Sequence, residues 1–340
     1  MSKNMLAAVF KGEGRLELEE VFFPRLKRED EVLLKVEAAS ICGTDIHILE
    51  VPPGHPATKG VILGHEYTAK VLEVGGDITH LKEGDRVVID PNITCGYCEY
   101  CRLGLPNTCV NMTTLGIFID GGFAQCNVAP AKALHKISSS LPEEEACLAE
   151  PLSCVINGAQ KVKLQPGESV VVLGAGPIGL LFTLLFKSAG AGKIIVAEVN
   201  KFRSEFALKS GADLVVDPTS ENLEKIVKEK TGLGADVVVD AVGSLFAQTL
   251  GLVRNGGSIL LFGMNEKARG EIKQYDITRR EIKVLGTFIA NATFPPAVKM
   301  LENKVLEIKG LITHQFPLSK IKEGVELMRK GEAIKVIIKP

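Results

Sequence analysis

Between Ser169 and Phe186 the chain carries no charged residue, and the run "SVVVLGAGPIGLLFTLLF" changes texture in its middle. Its length approaches the roughly 20 apolar residues that span a bilayer as a helix. The "GAGP" that follows a β-branched run interrupts it, and a buried strand turning into a buried helix explains the missing charge better. Gly174, Gly176 and Gly179 then fall at the spacing of a dinucleotide fingerprint. The first glycine permits a tight turn, the second lets backbone approach a pyrophosphate, and the third lets helix and strand pack closely. The anion would rest on the helix N-terminus. A second strand, "IIVAE", ends about twenty residues later in Glu198, whose carboxylate can accept ribose hydroxyls and would repel a 2′-phosphate. The expected cofactor is therefore NAD, and NADP less so, with Arg203 close by. An α/β turn that binds nothing would leave both the spacing and the acid unexplained.

A chain of 340 residues exceeds the size at which one core usually keeps growing, so two domains are expected. Up to about Glu150 the texture is short alternating strands broken by Gly and Pro: "MLAAVF", "EVLLKVEAA", "YTAKVLEVG", "DRVVID" and "FAQCNVA". That pattern suits a β-rich barrel or sandwich. After Pro166, apolar strands alternate regularly with helical segments, which implies a doubly wound parallel sheet. From about Ala290 one helix, "PAVKMLENK", precedes a mixed tail that ends in "IKVIIKP" and most simply packs back on the first domain.

Basic residues number 40 and acidic residues 41, with no block of like charge, so nucleic acid and anionic membrane are poor partners. Lys11 and Glu13 arrive too early for a signal peptide, and a cytoplasmic location is expected. In that compartment the 8 cysteines point to metal or catalytic roles before disulfides.

Four of them, Cys95, Cys98, Cys101 and Cys109, share the segment "CGYCEYCRLGLPNTC". Thiolates at these separations can wrap one ion tetrahedrally and leave no open position, which implies a structural zinc. Cys42, in "ASICGTDIHI", is a nucleophile, a metal ligand or a small buried residue on its own neighbours. "LGHEY" supplies His65 and Glu66, and "LAEPLSC" supplies Glu150. Singly these read as a satisfied core histidine and solvated carboxylates; with Cys42 they form a candidate Cys/His/Glu set without a closed thiolate cage. Cys126, Cys147 and Cys154 read as buried small residues. His135 and His314 have no identifiable partner, and His55 and His80 read as turn residues.

In this order, "CGTDIH", "GHE", the four-cysteine lobe, "EPLS" and "GAGPIGLL" resemble the zinc-dependent medium-chain dehydrogenase/reductase superfamily, in particular its polyol (sorbitol-like) and threonine dehydrogenase branches. The resemblance covers essentially the whole chain. It implies an α/β protein: a GroES-like catalytic domain over residues 1–155 and 290–340, and an inserted Rossmann domain over 156–289, with the active site in the cleft between them. It also implies a homodimer or homotetramer.

Carried over residue by residue, Cys42, His65 and Glu150 look like catalytic zinc ligands, with Glu66 a ligand in some relatives and a neighbour of the metal in others. Asp45 matches the carboxylate behind the zinc-bound histidine, and Thr44 and His47 match a proton relay. The four lobe cysteines match the structural zinc site. Gly174, Gly176, Pro177, Ile178, Gly179, Glu198 and Arg203 match adenosine and pyrophosphate contacts. Phe262, Gly263, Met264, Thr287 and Phe288 match stretches that line the nicotinamide. Two departures stand out: Ala69 where the family has glycine, and Asn92 where threonine dehydrogenases usually carry histidine.

The implied reaction is oxidation of a secondary alcohol in a polyol, sugar alcohol or sugar acid to its ketone. Zinc would act as a Lewis acid on the substrate oxygen, and the proton would leave through Thr44 and His47. Threonine 3-dehydrogenase or 2,3-butanediol-type activity is the alternative within the class. A catalytically silent zinc- and nucleotide-binding protein is the alternative outside it, and it would have no need of Thr44 and His47.

Overall fold

A computed structural model describes residues 4–340, in two compact units. Of the described residues, the first comprises 4–153, 291–304 and 312–340, and the second 154–290 and 305–311.

In the first unit, a seven-stranded sheet runs Ile312–Pro317, Lys335–Lys339, Glu31–Ser40, Glu66–Val74, Arg86–Ile89, Leu134–Ile137, and Cys126–Pro130 also pairs with Glu31–Ser40. The C-terminal strand Lys335–Lys339 lies antiparallel to Glu31–Ser40 and sets Ile337 opposite Ser40. Ser40 in turn stands opposite Glu66 on the next strand. Two ribbons, Asn4–Gly12 with Arg15–Phe22 and Asn92–Ile93 with Thr113–Thr114, complete the β structure. Side chains that point inward from these strands, among them Leu34, Val36, Tyr67 and Val87, form one core with Leu63 and Phe123 from the connecting segments.

The "FAQCNVA" run is only partly a strand. Phe123–Gln125 crosses from the N-terminal ribbon to the sheet: the Ala8 amide donates to the Phe123 carbonyl at 2.8 Å, and the Val36 amide to the Gln125 carbonyl at 3.0 Å. Regular pairing begins only at Cys126, because these carbonyls face two different partners.

The second unit is a six-stranded parallel sheet in the order Leu214–Val216, Lys193–Ala197, Ser169–Leu173, Ala235–Asp240, Val253–Leu261, Lys283–Gly286. Counted within the unit this is 3-2-1-4-5-6, the doubly wound Rossmann order. The uncharged run divides into the strand Ser169–Leu173 and the helix Pro177–Ser188, both largely buried. Among the described residues no helix is long and apolar enough to cross a membrane. Val305–Leu311, which the sequence pattern leaves with the tail, clusters with this unit.

Candidate metal centres and cofactor turn

The strand Glu31–Ser40 delivers the chain to Cys42, which stands at the N-cap of the short helix Gly43–Ile48. Asp45 reaches back from that helix, and its Oδ2 accepts the Cys42 amide at 2.8 Å. Its Oδ1 lies 3.6 Å from Nδ1 of His65, beyond a direct hydrogen bond, and both atoms are buried without a hydrogen-bond partner. His65 is placed by the glycine before it. Gly64 has φ +91°, and a Cβ there would stand 2.7 Å from the Phe123 ring. Only glycine lets the backbone pass Phe123 so closely while the Gly122 amide bonds the Gly64 carbonyl at 2.7 Å.

Donor atoms of Cys42, His65 and Glu66 lie within 4.8 Å of one another. Glu150, buried in the first turn of the helix Ala149–Val162, is outside this group. Thr44 and His47 sit three residues apart on one face of the helix Gly43–Ile48. Thr44 is partly buried, whereas His47 is exposed, with Nδ1 2.9 Å from Oε1 of Glu50.

Beside this group lies a residue that motif reading missed. Lys335 is 2% exposed, and its Nζ bonds Oε2 of the 1% exposed Glu66 and approaches Oγ of Ser40 at 3.3 Å. The Ser40 hydroxyl donates to the same Glu66 oxygen. Burial alone would neutralise both groups, yet Glu66 and Cys42 hold the Lys335 pKa above its ordinary value. Burial likewise pushes Glu66 upward, but Lys335 and His65 outweigh it and keep that carboxyl below its usual range. The sequence did offer a signal: Lys335, set between Ile334 and Val336 in the apolar run "AIKVIIKP", must find an anion if the strand is buried.

Burial and the Glu66 charge push the Cys42 thiol up. Burial lowers the His65 pKa, but Cys42 and Asp45 overcome it and raise the imidazole well above its ordinary value. A half-buried thiol, a buried imidazole and a buried carboxylate converging on one point are the donor set of a divalent cation, whose charge would draw the proton from Cys42. The orphaned Nδ1 of His65 beside Asp45 suits a histidine oriented for metal binding.

The second cluster is the four-cysteine lobe, whose sulfurs also lie within 4.8 Å of one another. Sγ of Cys109 is 3.5 Å from that of Cys95 and 3.8 Å from that of Cys98. The Cys98 amide donates to Cys95 Sγ at 3.3 Å, and the Cys95 amide to Cys109 Sγ at 3.4 Å. Burial opposes ionisation of Cys95, but the amides of Tyr97 and Cys98 prevail and bring its thiol down to about 6. Backbone amides favour the thiolate at Cys98 as well, whereas burial pushes Cys101 up to about 12. Four free thiols gathered on one point fit a closed tetrahedral zinc site, whose cation would draw off the remaining protons.

In the second unit, Gly174 has φ +93°, and a Cβ on Gly179 would fall 1.9 Å from the Gly174 carbonyl oxygen. A Cβ on Gly176 would meet nothing within 4 Å, so that face of the turn is open to a ligand. Pro177 and Ile178 begin the helix behind it. Glu198 Oε2 accepts the Ala175 amide at 2.7 Å, and Oε1 accepts those of Val199 and Asn200 at 2.9 and 2.8 Å. The acid thus ties its strand end to the glycine turn. Asn200 caps the helix Lys201–Lys209 through the Arg203 amide, while Arg203 Nε is buried without a hydrogen-bond partner. Phe262 packs edge-on against Phe182, and Gly263 passes so near Gly243 that a Cβ would stand 2.2 Å from its nitrogen. Met264 is 70% exposed. The Thr287 amide bonds the Leu261 carbonyl, its Oγ1 is buried and unpartnered, and the Phe288 carbonyl accepts from Asn157. Orphaned polar atoms on Arg203 and Thr287, with the open Gly176 face, fit a polar dinucleotide.

Of the remaining histidines and cysteines, His135 stacks on Phe294 with ring centres 5.0 Å apart, and His314 stacks on Phe316 at 6.1 Å. Cys126, Cys147 and Cys154 are buried.

A Rossmann sheet with a glycine turn, together with a mainly antiparallel unit carrying one four-cysteine set and one mixed Cys/His/carboxylate set, defines a zinc-dependent nicotinamide dehydrogenase. Comparison with known proteins agrees. Residues 28–139 match the alcohol dehydrogenase GroES-like domain and residues 177–303 the zinc-binding dehydrogenase family. The chain is 39% identical to a D-altritol 5-dehydrogenase of Agrobacterium fabrum, over 85% of this chain and 86% of that one. It is 34% identical to a sorbitol dehydrogenase of Bacillus subtilis, over 99% and 98%. It is 33% identical to an L-threonine 3-dehydrogenase of Bacillus licheniformis, over the full length of both. A zinc-binding dehydrogenase of Sinorhizobium meliloti bound to NADP superposes with TM-score 0.94 at 31% identity, covering 100% of both chains. An alcohol dehydrogenase of Escherichia coli CFT073 complexed with NADH gives 0.93 at 28%, again over 100% of both. The chain belongs to the zinc-binding alcohol dehydrogenase family. It is an alcohol-type oxidoreductase that uses zinc and a nicotinamide cofactor.

Proposed function

We propose that this enzyme interconverts a secondary alcohol of a polyol, sugar alcohol or sugar acid and its ketone, with NAD as the hydride carrier. The observation that carries the reading is the convergence of Cys42, His65 and Glu66 beside Thr44 and His47. The catalytic zinc would be held by Cys42, His65 and a carboxylate from Glu150 or Glu66, and a structural zinc by Cys95, Cys98, Cys101 and Cys109. Bound there, the catalytic ion supplies Lewis acidity to the substrate oxygen. Asp45 orients the His65 ring. The Thr44 hydroxyl accepts the proton that the alcohol loses while giving up its own, and the exposed His47, whose Nδ1 lies 2.9 Å from Glu50, receives the relayed proton and releases it to solvent. In the second unit, Glu198 receives ribose hydroxyls and repels a 2′-phosphate, which favours NAD. The reading includes a homodimer or homotetramer, and a reducing, cytoplasmic compartment in which the eight free cysteines persist.

The relatives' own names include polyol and threonine dehydrogenases. Asn92 favours the polyol reading, because it stands where threonine dehydrogenases usually carry histidine; its Oδ1 accepts from the Thr114 hydroxyl at 3.2 Å. The test is NADH formation from a panel of polyols, sugar acids and amino acids, with zinc counted on the same sample. Turnover of polyols with NAD+, at two zinc ions per chain, is expected. Rapid turnover of threonine alone would overturn the choice.

A further inference from the structure

The donor geometry leaves one ambiguity: Glu66 lies within the metal-ligand group and Glu150 does not. Proximity alone would therefore make Glu66 a permanent third ligand. The bonds around it argue otherwise. Its Oε2 accepts from both the Lys335 ammonium and the Ser40 hydroxyl; these donors tether the carboxylate and draw off its delocalised charge, so Oε1 too is a weaker donor to a cation than that of a free carboxylate. Lys335 also has nowhere else to go. Its other polar neighbours are the Ser40 hydroxyl and the Ile41 carbonyl at 3.5 Å. If Glu66 swung to a metal ion, a buried ammonium would lose the carboxylate it pairs with among the described residues. The three residues stand on adjacent strands, with Ser40 opposite Glu66 and Ile337, two residues beyond Lys335, opposite Ser40. Sheet register, a rigid frame, sets their contact.

We propose that Lys335, assisted by Ser40, is a positioning residue that withholds the Glu66 carboxylate from the catalytic metal ion and so keeps a coordination position open for substrate. Cys42, His65 and Glu150 then hold the ion. Charge supports the arrangement: a Cys42 thiolate with Glu66 and Glu150 carboxylates carries one more negative charge than a divalent ion neutralises, and Lys335 supplies the missing positive charge. This inference rests on the zinc-site reading proposed above.

The test uses full-length protein with Co2+ at the Cys42 site, comparing wild type, Lys335→Met, Lys335→Arg and the double variant Lys335→Met/Glu66→Gln. The readouts are the visible d–d spectrum and the rate of metal release to excess chelator. Lys335→Met frees Glu66 to bind, so its d–d bands should weaken towards higher coordination and release should slow about tenfold. Lys335→Arg should retain wild-type values. The double variant, which buries no lone charge and so guards against simple misfolding, should restore the wild-type spectrum and rate. Metal-loaded Lys335→Met with an unchanged spectrum and release rate overturns the inference, and so does a change that persists in the double variant. Wild-type protein that binds no metal at Cys42 overturns the zinc-site reading itself.

Discussion

Oδ1 of Asp45 and Nδ1 of His65 face each other at 3.6 Å, buried and without other hydrogen-bond partners. The other Asp45 oxygen holds the amide of Cys42. One carboxylate therefore aligns two residues of the candidate metal site. Asp45→Ala should lower zinc affinity and turnover by about 10- to 100-fold. It should also cost about 1 kcal/mol of stability through the lost cap. Zinc content after dialysis against a chelator, with kcat on the same sample, checks this; full retention of both would remove Asp45 from the site.

Glu198 satisfies three backbone amides as well as facing the open glycine turn. Its removal should act on both stability and cofactor choice. Glu198→Ala should raise KM for NAD+ by at least about tenfold, raise that for NADP+ much less, and destabilise the protein by about 1–3 kcal/mol. Steady-state kinetics with both cofactors, alongside thermal melts, separates the two effects. An unchanged ratio of the two KM values would show that Glu198 serves structure alone.

The four-cysteine lobe has a short helix, Glu99–Arg102, and a 3-10 turn, Pro106–Thr108, but little core of its own. Its order should depend on metal. Cys101→Ser should lose one zinc per chain and lower the melting temperature, while the remaining zinc stays with Cys42 and His65. Metal analysis and calorimetry test this. A variant that keeps both ions would contradict a site built from all four lobe cysteines.

Asp90 provides a pH prediction with a defined sign. Burial raises its carboxyl to about 6, although the Asn92 amide at 3.0 Å opposes the rise. A carboxyl raised in the folded state is best tolerated when protonated. Its unfavourable contribution is absent below the unfolded value near 4 and develops as pH rises through about 6. Asp90→Asn should therefore stabilise the protein by about 1–3 kcal/mol at pH 8 and by almost nothing at pH 4. Denaturant melts at the two pH values decide it.

What could be read from the sequence follows from how local each signal is. The Rossmann sheet was legible because each buried parallel strand is a continuous apolar run, and because Gly174, Gly176 and Gly179 fix a turn within six residues. The lobe cysteines were legible for the same reason. The Lys335–Glu66 pair was not: it joins residues 269 positions apart through strand pairing, which no local pattern encodes. Nor was the split role of Phe123–Gln125, whose alternating pattern looks like any strand but whose carbonyls serve two partners. His135 showed no partner in sequence because Phe294, on which it stacks, arrives from the far end of the chain.

Counting metal in Cys42→Ala, alongside NADH formation from the best polyol of the panel, decides whether Cys42 belongs to a catalytic zinc set distinct from the structural one. Wild-type protein should hold two zinc ions per chain, and the variant should keep the lobe zinc, lose the other and form no NADH. A Cys42→Ala protein that retains both ions, or that turns over at the wild-type rate, would contradict that assignment.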